Sequence, residues 1–176
     1  MIYEYISLII GIAKMAVYKI LNFSKIQYKS MPRMNSSFKI AMKKNTKMLI
    51  GKKMRTRNNV SFRIYDKGIV TIGDNCFFND NCSINCQQKI EIGNNVMCGQ
   101  NVVILDHDHD YKNDIHKFIK KDVKIGNNVW IGANTTILKG VTIGDNAIIG
   151  AGTLISKDIE ENSVVYDKRN IKAKEK

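Results

Sequence analysis

Apolar residues recur along the second half of the chain with a period of six. An aliphatic residue returns at every sixth position without a gap, at Ile125, Ile131, Ile137, Ile143, Ile149 and Ile155. A small or β-branched residue usually stands four positions later, as at Val129, Thr135, Val141, Ala147 and Thr153. Glycine often follows the aliphatic residue, with asparagine or aspartate next, which is a turn signal. Each hexad is therefore predicted to be a short strand that ends in a corner.

The same period extends upstream in groups of three hexads. The groups are Ile50, Thr56 and Phe62, then Ile72, Phe78 and Ile84, and, after two extra residues, Ile92, Cys98 and Ile104. One short strand cannot bury an apolar face alone, but three joined by corners close a triangular coil, and coils stack at the ~4.8 Å strand spacing. The pattern predicts an all-β parallel β-helix of about five triangular coils over residues 49–160.

Residues 1–24 have a helical rather than a strand pattern. Their polar or small residues recur three or four positions apart and form one narrow stripe on a helix: Glu4, Ser7, Gly11, Lys14 and Tyr18. The longest charge-free run, residues 5–13, is too short to span a bilayer, and no basic residue precedes it as in a secretory signal. Two alternatives stay open for the apolar remainder of this amphipathic helix: a membrane interface, or packing on the body or a neighbouring subunit.

The charge of the chain is concentrated near its N-terminus. The 176 residues suffice for one domain with a short extension, and their net charge is +12. Residues 1–63 hold 14 Lys/Arg and one acid, Glu4, whereas residues 64–176 hold 14 basic and 15 acidic residues. We expect residues 25–48 to be a basic connecting segment and residues 161–176 a C-terminal tail. A basic segment suits an anionic membrane surface, and no motif for reading nucleic acid accompanies it.

Four cysteines lie within 23 residues, at Cys76, Cys82, Cys86 and Cys98. Because no signal peptide precedes them, we expect a reducing, cytoplasmic compartment without disulfides. No pair of C-x₂-C elements occurs, so a zinc site is not indicated. Three of the four fall on inward positions of the repeat, which predicts small buried residues.

The largest interruption of the repeat contains all three histidines. Ile104 and Ile125 are 21 residues apart where the repeat needs six, so we predict a protruding loop at residues 106–123. Its start, L-D-H-D-H-D-Y at 105–111, places imidazoles beside carboxylates. A neighbouring carboxylate orients an imidazole and makes it a competent general base near neutral pH. A long loop on a repeat scaffold is also where function concentrates.

Three segments resemble a known family. They are I-G-N-N-V-W-I-G-A-N-T-T-I at 125–137, V-T-I-G-D-N-A-I-I-G-A-G at 141–152 and S-K-D-I at 156–159. Over residues 50–165 the chain resembles the hexapeptide-repeat acyltransferases, in the branch of galactoside, maltose and capsule-sugar O-acetyltransferases. The resemblance implies a left-handed β-helix, an exception to the right-handed crossover rule. It also implies a homotrimer with acetyl-CoA bound between subunits and no metal.

The resemblance further implies roles for individual residues. The D-H-x-H-D pattern places the catalytic base at His107, whereas alignment from Ile104 without a gap places it at His109, and both remain candidates. His116 matches no family position and is expected at the surface. Ala133 would stabilise the oxyanion through its amide, and Trp130 would lie beside the pantetheine or the acceptor.

Binding residues carried over from the family come from several parts of the chain. Ala151, Ser156 and Lys157 match positions that hold CoA, and Asn79 and Asp106 match the acceptor side of the site. The family usually ends in Gly-Asn-Pro-Ala-Lys, which this chain lacks. Its C-terminal charges are the candidates for the CoA phosphate contact: Lys168, Arg169 and Lys172.

The expected function is acetyl-CoA-dependent O-acetylation of a sugar hydroxyl in a surface polysaccharide or its precursor. Acetylation of a free sugar, a nucleotide-linked amino sugar or an antibiotic is the alternative within the same chemistry. A γ-type zinc carbonic anhydrase is disfavoured because it requires an H-x₄-H pair, whereas the histidines here are two and seven positions apart. A non-enzymatic scaffold leaves the histidine-rich loop unexplained. The expected location is cytoplasmic, at the inner face of the membrane if the N-terminal helix binds lipid.

Overall fold

The chain folds into one helix followed by a parallel β-helix. The computed structural model describes residues 2–168. Helix α1 (Ile2–Leu21) precedes twenty strands, of which eighteen form three parallel six-stranded sheets and two form a separate antiparallel pair. The chain passes through the three sheets in turn, and we call them faces A, B and C in the order in which each coil visits them.

Each face takes one strand from successive coils, except that the first coil contributes to face B only an isolated bridge, between Arg33 and Arg55. Face A contains β1 (Ile26–Tyr28), β3 (Lys47–Ile50), β6 (Ile69–Ile72), β9 (Lys89–Ile92), β14 (Val123–Ile125) and β17 (Thr142–Ile143). Face B contains β4 (Arg55–Thr56), β7 (Phe77–Phe78), β10 (Met97–Cys98), β15 (Trp130–Ile131), β18 (Ile148–Ile149) and β20 (Val164–Val165). Face C contains β2 (Lys39–Met42), β5 (Ser61–Ile64), β8 (Ser83–Cys86), β11 (Val103–Leu105), β16 (Thr136–Ile137) and β19 (Leu154–Ile155).

The periodic aliphatic residues stack in register inside the coils. On face A the strand pairing aligns a column of isoleucines, each at most 3% exposed: Ile50, Ile72, Ile92, Ile125 and Ile143. The four cysteines are free and buried, as predicted. Burial raises the pKa of Cys82 to about 11. The core therefore consists of columns of small and branched side chains that run parallel to the β-helix axis.

The β-helix is longer at both ends than the sequence predicts. Residues 25–48 form a first coil rather than a connecting segment, so the structure has six full coils instead of five. Their buried side chains include Ile26, Met34 and Phe38, while the intervening basic residues point outward. At the other end β20 pairs with β18, so residues within the predicted tail begin a seventh coil.

Asparagine ladders connect successive coils at two of the three corners. At the A–B corner, neighbouring side chains are hydrogen-bonded at 2.9–3.1 Å in the order Asn75, Asn95, Asn128, Asn146 and Asn162. At the B–C corner, the order is Asn59, Asn81, Asn101 and Asn134, at 2.9–3.3 Å. All nine have φ between 56° and 62°, a left-handed conformation that asparagine tolerates.

Helix α1 packs on the first coil through its small and polar stripe. Ser7, Gly11 and Met15 are buried, and Ser7 Oγ lies 2.8 Å from Ser36 Oγ. Lys14 Nζ donates hydrogen bonds to the carbonyl oxygens of Ser36, at 3.0 Å, and Phe38. The helix is therefore in contact with the body of the protein. Within residues 2–168, no helix is long and apolar enough to cross a bilayer.

Candidate active site

The predicted loop is an ordered antiparallel β-hairpin at the C–A corner of the fourth coil. Strands β12 (His107–Asp110) and β13 (Asp114–Lys120) leave the coil after β11 and return to it at β14. Lys120 forms an ion pair with Asp66, and Lys139 Nζ lies 3.4 Å from Asp108 Oδ2. These pairs connect the hairpin to the second and the fifth coil.

A buried carboxylate stands at the base of the hairpin. Asp106 has no exposed surface and accepts hydrogen bonds from the backbone N–H groups of Gln87, at 2.9 Å, and Gln88, at 2.7 Å. The thiol of Cys86 donates to its Oδ2 at 3.2 Å. Burial raises the pKa of Asp106. The hydrogen bonds from His107, the two amides and the thiol together lower this pKa by more than burial raises it, so the net pKa is below the usual value. Asp106 is therefore ionised at neutral pH.

His107 is oriented by this carboxylate. Its Nδ1 lies 2.9 Å from Asp106 Oδ1, and an ionised carboxylate can only accept, so Nδ1 carries the proton. In the neutral imidazole, Nε2 then keeps its lone pair. It has no hydrogen-bond partner among residues 2–168 and is not sealed from solvent, and the side chain is 18% exposed. The rings of His107 and Phe118 are nearly perpendicular, and their centroids lie 5.4 Å apart. This is the geometry of a general base.

His109 has a similar tautomer but a weaker partner. Its Nδ1 lies 2.6 Å from the carbonyl oxygen of Ile115, and its ring is 4.5 Å from that of Phe118. A neutral carbonyl stabilises an imidazolium less than a carboxylate does. His116 is exposed, as expected. Within residues 2–168, no group of three or more His, Cys, Asp or Glu side chains is placed to hold a metal ion.

The B–C corner contains a backbone donor that is left open. At this corner, a side chain of the next coil can accept a hydrogen bond from the backbone N–H. In the second coil, for example, Asp80 Oδ1 accepts from the N–H of Asn58 at 2.8 Å. The N–H of Ala133 has no acceptor among residues 2–168, because the next coil presents the methyl group of Ala151 there. Because Ala151 has no polar side chain, the N–H of Ala133 remains available as a donor. Such a donor fits binding of a carbonyl oxygen, for example that of an acetyl thioester. Trp130, on β15 of the same coil, is 53% exposed.

The other candidates lie at separate corners. Ser156 and Lys157 follow β19 and are exposed. Asn79 lies at the B–C corner, where its Oδ1 accepts from the N–H of Asp80. Asp106 does not fit the expected contact with acceptor, because its carboxylate is buried and its oxygens bind protein donors. Lys168 ends the described chain, and Arg169 and Lys172 lie outside the described residues.

A single chain does not bring the base and the open amide together. His107 lies at the C–A corner, whereas Ala133 lies at the B–C corner, and the whole of face C separates them. Six residues of extended chain span roughly 20 Å. The two parts can therefore meet only if a second chain supplies one of them.

Sequence reasoning missed the groups that hold Asp106. The backbone amides of Gln87 and Gln88 and the thiol of Cys86 come from the preceding coil, and Phe118 contacts both histidines from β13. The sequence contains one indication of these contacts, the two extra residues between β8 and β9 that interrupt the repeat. These residues are Gln87 and Gln88, whose amides donate to Asp106.

Comparison with known proteins identifies the repeat. Residues 122–157 match the family model described as bacterial transferase hexapeptide (six repeats), and residues 69–105 match the model described as hexapeptide repeat of succinyl-transferase. The resemblance to hexapeptide-repeat acyltransferases is confirmed. The architecture is accordingly the left-handed β-helix expected for these proteins.

Relatives of this type act on sugars according to their names. The chain is 40% identical over 98 residues to galactoside O-acetyltransferase of Escherichia coli, covering 54% of this chain and 48% of the relative. It is 31% identical over 103 residues to polysialic acid O-acetyltransferase of Neisseria meningitidis, covering 47% of each. A hexapeptide-repeat acetyltransferase of Vibrio cholerae in complex with acetyl-CoA superposes with a TM-score of 0.56 at 28% identity, covering 60% of each chain. The chain spans about half the length of the curated relatives it matches.

Proposed function

We propose that this protein is an acetyl-CoA-dependent O-acetyltransferase that acylates a sugar hydroxyl of a surface polysaccharide or its precursor. The observation that carries the proposal is the Asp106–His107 pair, which places the proton of the neutral imidazole on Nδ1 and leaves Nε2 accessible as an acceptor. The scaffold and the relatives named above support the choice of an acetyl thioester and a carbohydrate as the two substrates.

The proposed reaction uses the chain's own groups for proton transfer and charge stabilisation. His107 Nε2 removes the proton of the sugar hydroxyl as its oxygen attacks the thioester carbonyl carbon, and Asp106 stabilises the resulting imidazolium. The N–H of Ala133 donates to the oxyanion of the tetrahedral intermediate. Collapse breaks the C–S bond, and His107 returns the proton to the sulfur, so that the acetyl ester and free CoA leave. A general base typically contributes ~10²–10⁴ in rate, and one oxyanion donor ~10²–10³.

We propose a homotrimer in which neighbouring chains complete each site. The separation of His107 from Ala133 along face C requires two chains. Face B also presents an outward apolar row that a neighbour would cover: Met97, Trp130, Ile148 and Val164, between 37% and 64% exposed. Light scattering is expected to give a trimeric mass, and a fully active monomer at micromolar concentration would contradict this arrangement.

The remaining roles are proposed from the family resemblance, except that of Asp106, which is proposed from its contacts. Trp130, Ala151, Ser156 and Lys157 are proposed to hold CoA, with Lys168 near its phosphate, and Asn79 to contact the acceptor. Asp106 is proposed to position His107 instead of touching the acceptor.

The test compares two histidine variants in an assay of CoA release over a panel of glycan acceptors. His107→Ala should lower kcat by ~10² or more without changing the fold or the affinity for acetyl-CoA, because a base acts on the barrier. His109→Ala is the matched control and should stay within ~10-fold of wild type. Loss of activity in the His109 variant alone would move the base to His109. A panel that also contains free sugars and nucleotide-linked amino sugars distinguishes the alternative acceptors.

A further inference from the structure

Helix α1 turns its apolar side away from the protein. We call this side the outer face of α1, and its members are each at least half exposed: Ile2, Tyr5, Ile6, Ile9, Ile10, Val17 and Ile20. The helix's charged residues lie elsewhere. Lys14 and Lys19 donate to backbone carbonyls of the body, and Glu4 borders a groove between the helix and face B. No charged residue therefore interrupts the outer face.

This arrangement is the reverse of the usual one for a surface helix. An amphipathic helix normally turns its apolar stripe to the core and its polar stripe to water. Here the polar stripe is against the first coil, and apolar side chains run along a helix ~30 Å long. A contiguous apolar surface of this size marks an interaction site rather than scattered exposed residues.

The surroundings of the outer face are strongly basic. No acidic residue occurs between residues 5 and 65, and residues 25–64 hold twelve Lys/Arg, of which eleven are exposed. Among residues 2–168, the only ion pair from these twelve is Lys29 with Asp74, at 3.7 Å. The positive charge of the first two coils therefore has almost no internal partner.

An open groove of about 630 Å³ lies directly beside α1, and we call it the arginine groove. Tyr3 and Glu4 of the helix line one side, and Arg33, Arg55 and Arg57 line the other, so three arginines face one carboxylate and the lining is net positive. Arg33 and Arg55 are paired across neighbouring coils, so their side chains stand about one strand spacing, ~4.8 Å, apart. Adjacent like charges are unfavourable unless an anion lies between them, and the planar guanidinium suits a phosphate.

We propose that the outer face of α1 and the arginine groove form a docking surface for an anionic lipid bilayer. The apolar side chains enter the interfacial region, and the groove binds lipid phosphate. A second copy is a poorer occupant, because pairing through this face would bring the same basic coils together. The proposal is independent of the acetyltransferase reaction and would hold for any activity of the β-helix.

The test measures co-sedimentation of the full-length protein with phosphatidylcholine vesicles, with and without about 30 mol% phosphatidylglycerol. We expect binding to the anionic vesicles at low salt and a marked decrease at about 0.5 M salt. Ile9→Gln with Ile20→Gln should lower the partition coefficient ~10-fold or more. Arg33→Gln with Arg55→Gln should lower it ~25-fold at low salt, about fivefold per charge.

Two matched double variants serve as controls. Leu154→Gln with Tyr111→Gln removes similarly exposed apolar residues outside α1, the arginine groove and the proposed trimer interface, and Lys89→Gln with Lys124→Gln removes two charges from face A. Both should bind vesicles like wild type. Absence of wild-type binding to anionic vesicles overturns the proposal, as does binding by the two α1 and groove variants at wild-type strength. Suppose that the wild type does not bind vesicles and that Ile9→Gln with Ile20→Gln lowers the mass of the protein in solution. The outer face of α1 would then be a contact with a second copy of the chain.

Discussion

Replacement of Asp106 by asparagine should inactivate the protein more than it destabilises it. Gln88 N–H and Cys86 S–H donate to Oδ2 of Asp106, and His107 donates to Oδ1. The N–H of Gln87 lies within reach of both oxygens, at 2.9 Å from Oδ1 and 3.1 Å from Oδ2, so it can use either one. An amide has one accepting oxygen. If this oxygen faced His107, the NH₂ group would meet the N–H of Gln88, 2.7 Å from the present Oδ2, and leave a buried donor without an acceptor.

These contacts determine how the substitution should affect activity and stability. An unsatisfied buried donor costs ~1–3 kcal/mol, so the amide oxygen should turn toward Gln88 and the NH₂ toward His107. His107 Nδ1 must then accept, which moves the ring proton to Nε2, the atom proposed to act as base. We therefore expect kcat to fall by ~10²–10⁴, the range for loss of a general base. Stability should fall by only about 1–3 kcal/mol, the value of a hydrogen bond to a charged group.

The assay is CoA release with saturating acetyl-CoA, accompanied by urea unfolding of the same samples. Asp108→Asn is the matched control, because Asp108 is exposed and its oxygens contact only Lys139 Nζ, at 3.4 Å, and the N–H of His109, at 3.0 Å, among residues 2–168. It should change stability by no more than ~0.5 kcal/mol and leave activity within a few-fold. An Asp106→Asn variant with nearly full activity would refute the role of Asp106 in fixing the tautomer.

Three further predictions concern stability and accessibility. Gly11→Ala would favour an isolated helix by ~1 kcal/mol, but its Cβ would stand 1.8 Å from Met34 O, so we expect a net loss in urea unfolding and faster proteolysis of residues 1–24. A gain in stability would contradict the packing of α1. The lowered pKa of Asp106 stabilises the fold above the unfolded value of ~3.9, and this contribution is lost as pH falls through the folded pKa. The stability difference between wild type and Asp106→Asn should therefore narrow below about pH 4, and a constant difference would contradict the assignment. Cys98 is buried and its pKa is raised, so thiol reagents should modify it only as fast as the protein unfolds.

The repeat predicted most of the β-helix but not its beginning. From residue 49 onward the aliphatic period placed strands and corners where the structure has them. The first coil was not predicted because two of its three six-spaced positions, Tyr28 and Met34, are not aliphatic, and because four extra residues between Ile40 and Ile50 interrupt the period. Only pairing with the second coil reveals it.

The orientation of α1 also required the tertiary structure. The sequence shows the polar stripe, and the usual expectation places such a stripe in water. The first coil, however, is the open edge of the β-helix and presents backbone groups with no preceding coil to bond them. Ser7 and Lys14 supply polar partners to this edge, and Gly11 allows the close approach.

We prefer His107 to His109 as the proposed base because of contacts with residues far from both in sequence. His107 and His109 both stand next to carboxylates in the chain, so local pattern treats them alike. The difference comes from the amides of the preceding coil, which bury and ionise Asp106 at the correct place. The two extra residues in the repeat are the only trace that this contact across coils leaves in the sequence.

The asparagine ladders restrict where the chain length can change. Six residues separate Asn75 from Asn81, Asn95 from Asn101 and Asn128 from Asn134. By contrast, 14 residues separate Asn81 from Asn95, and 27 separate Asn101 from Asn128. One added residue between two ladders would reverse the inward and outward sides of a strand, whereas the C–A edge, where residues 2–168 form no asparagine ladder, contains additions of different length. Hairpins can therefore be inserted at that edge while the interior columns stay in register.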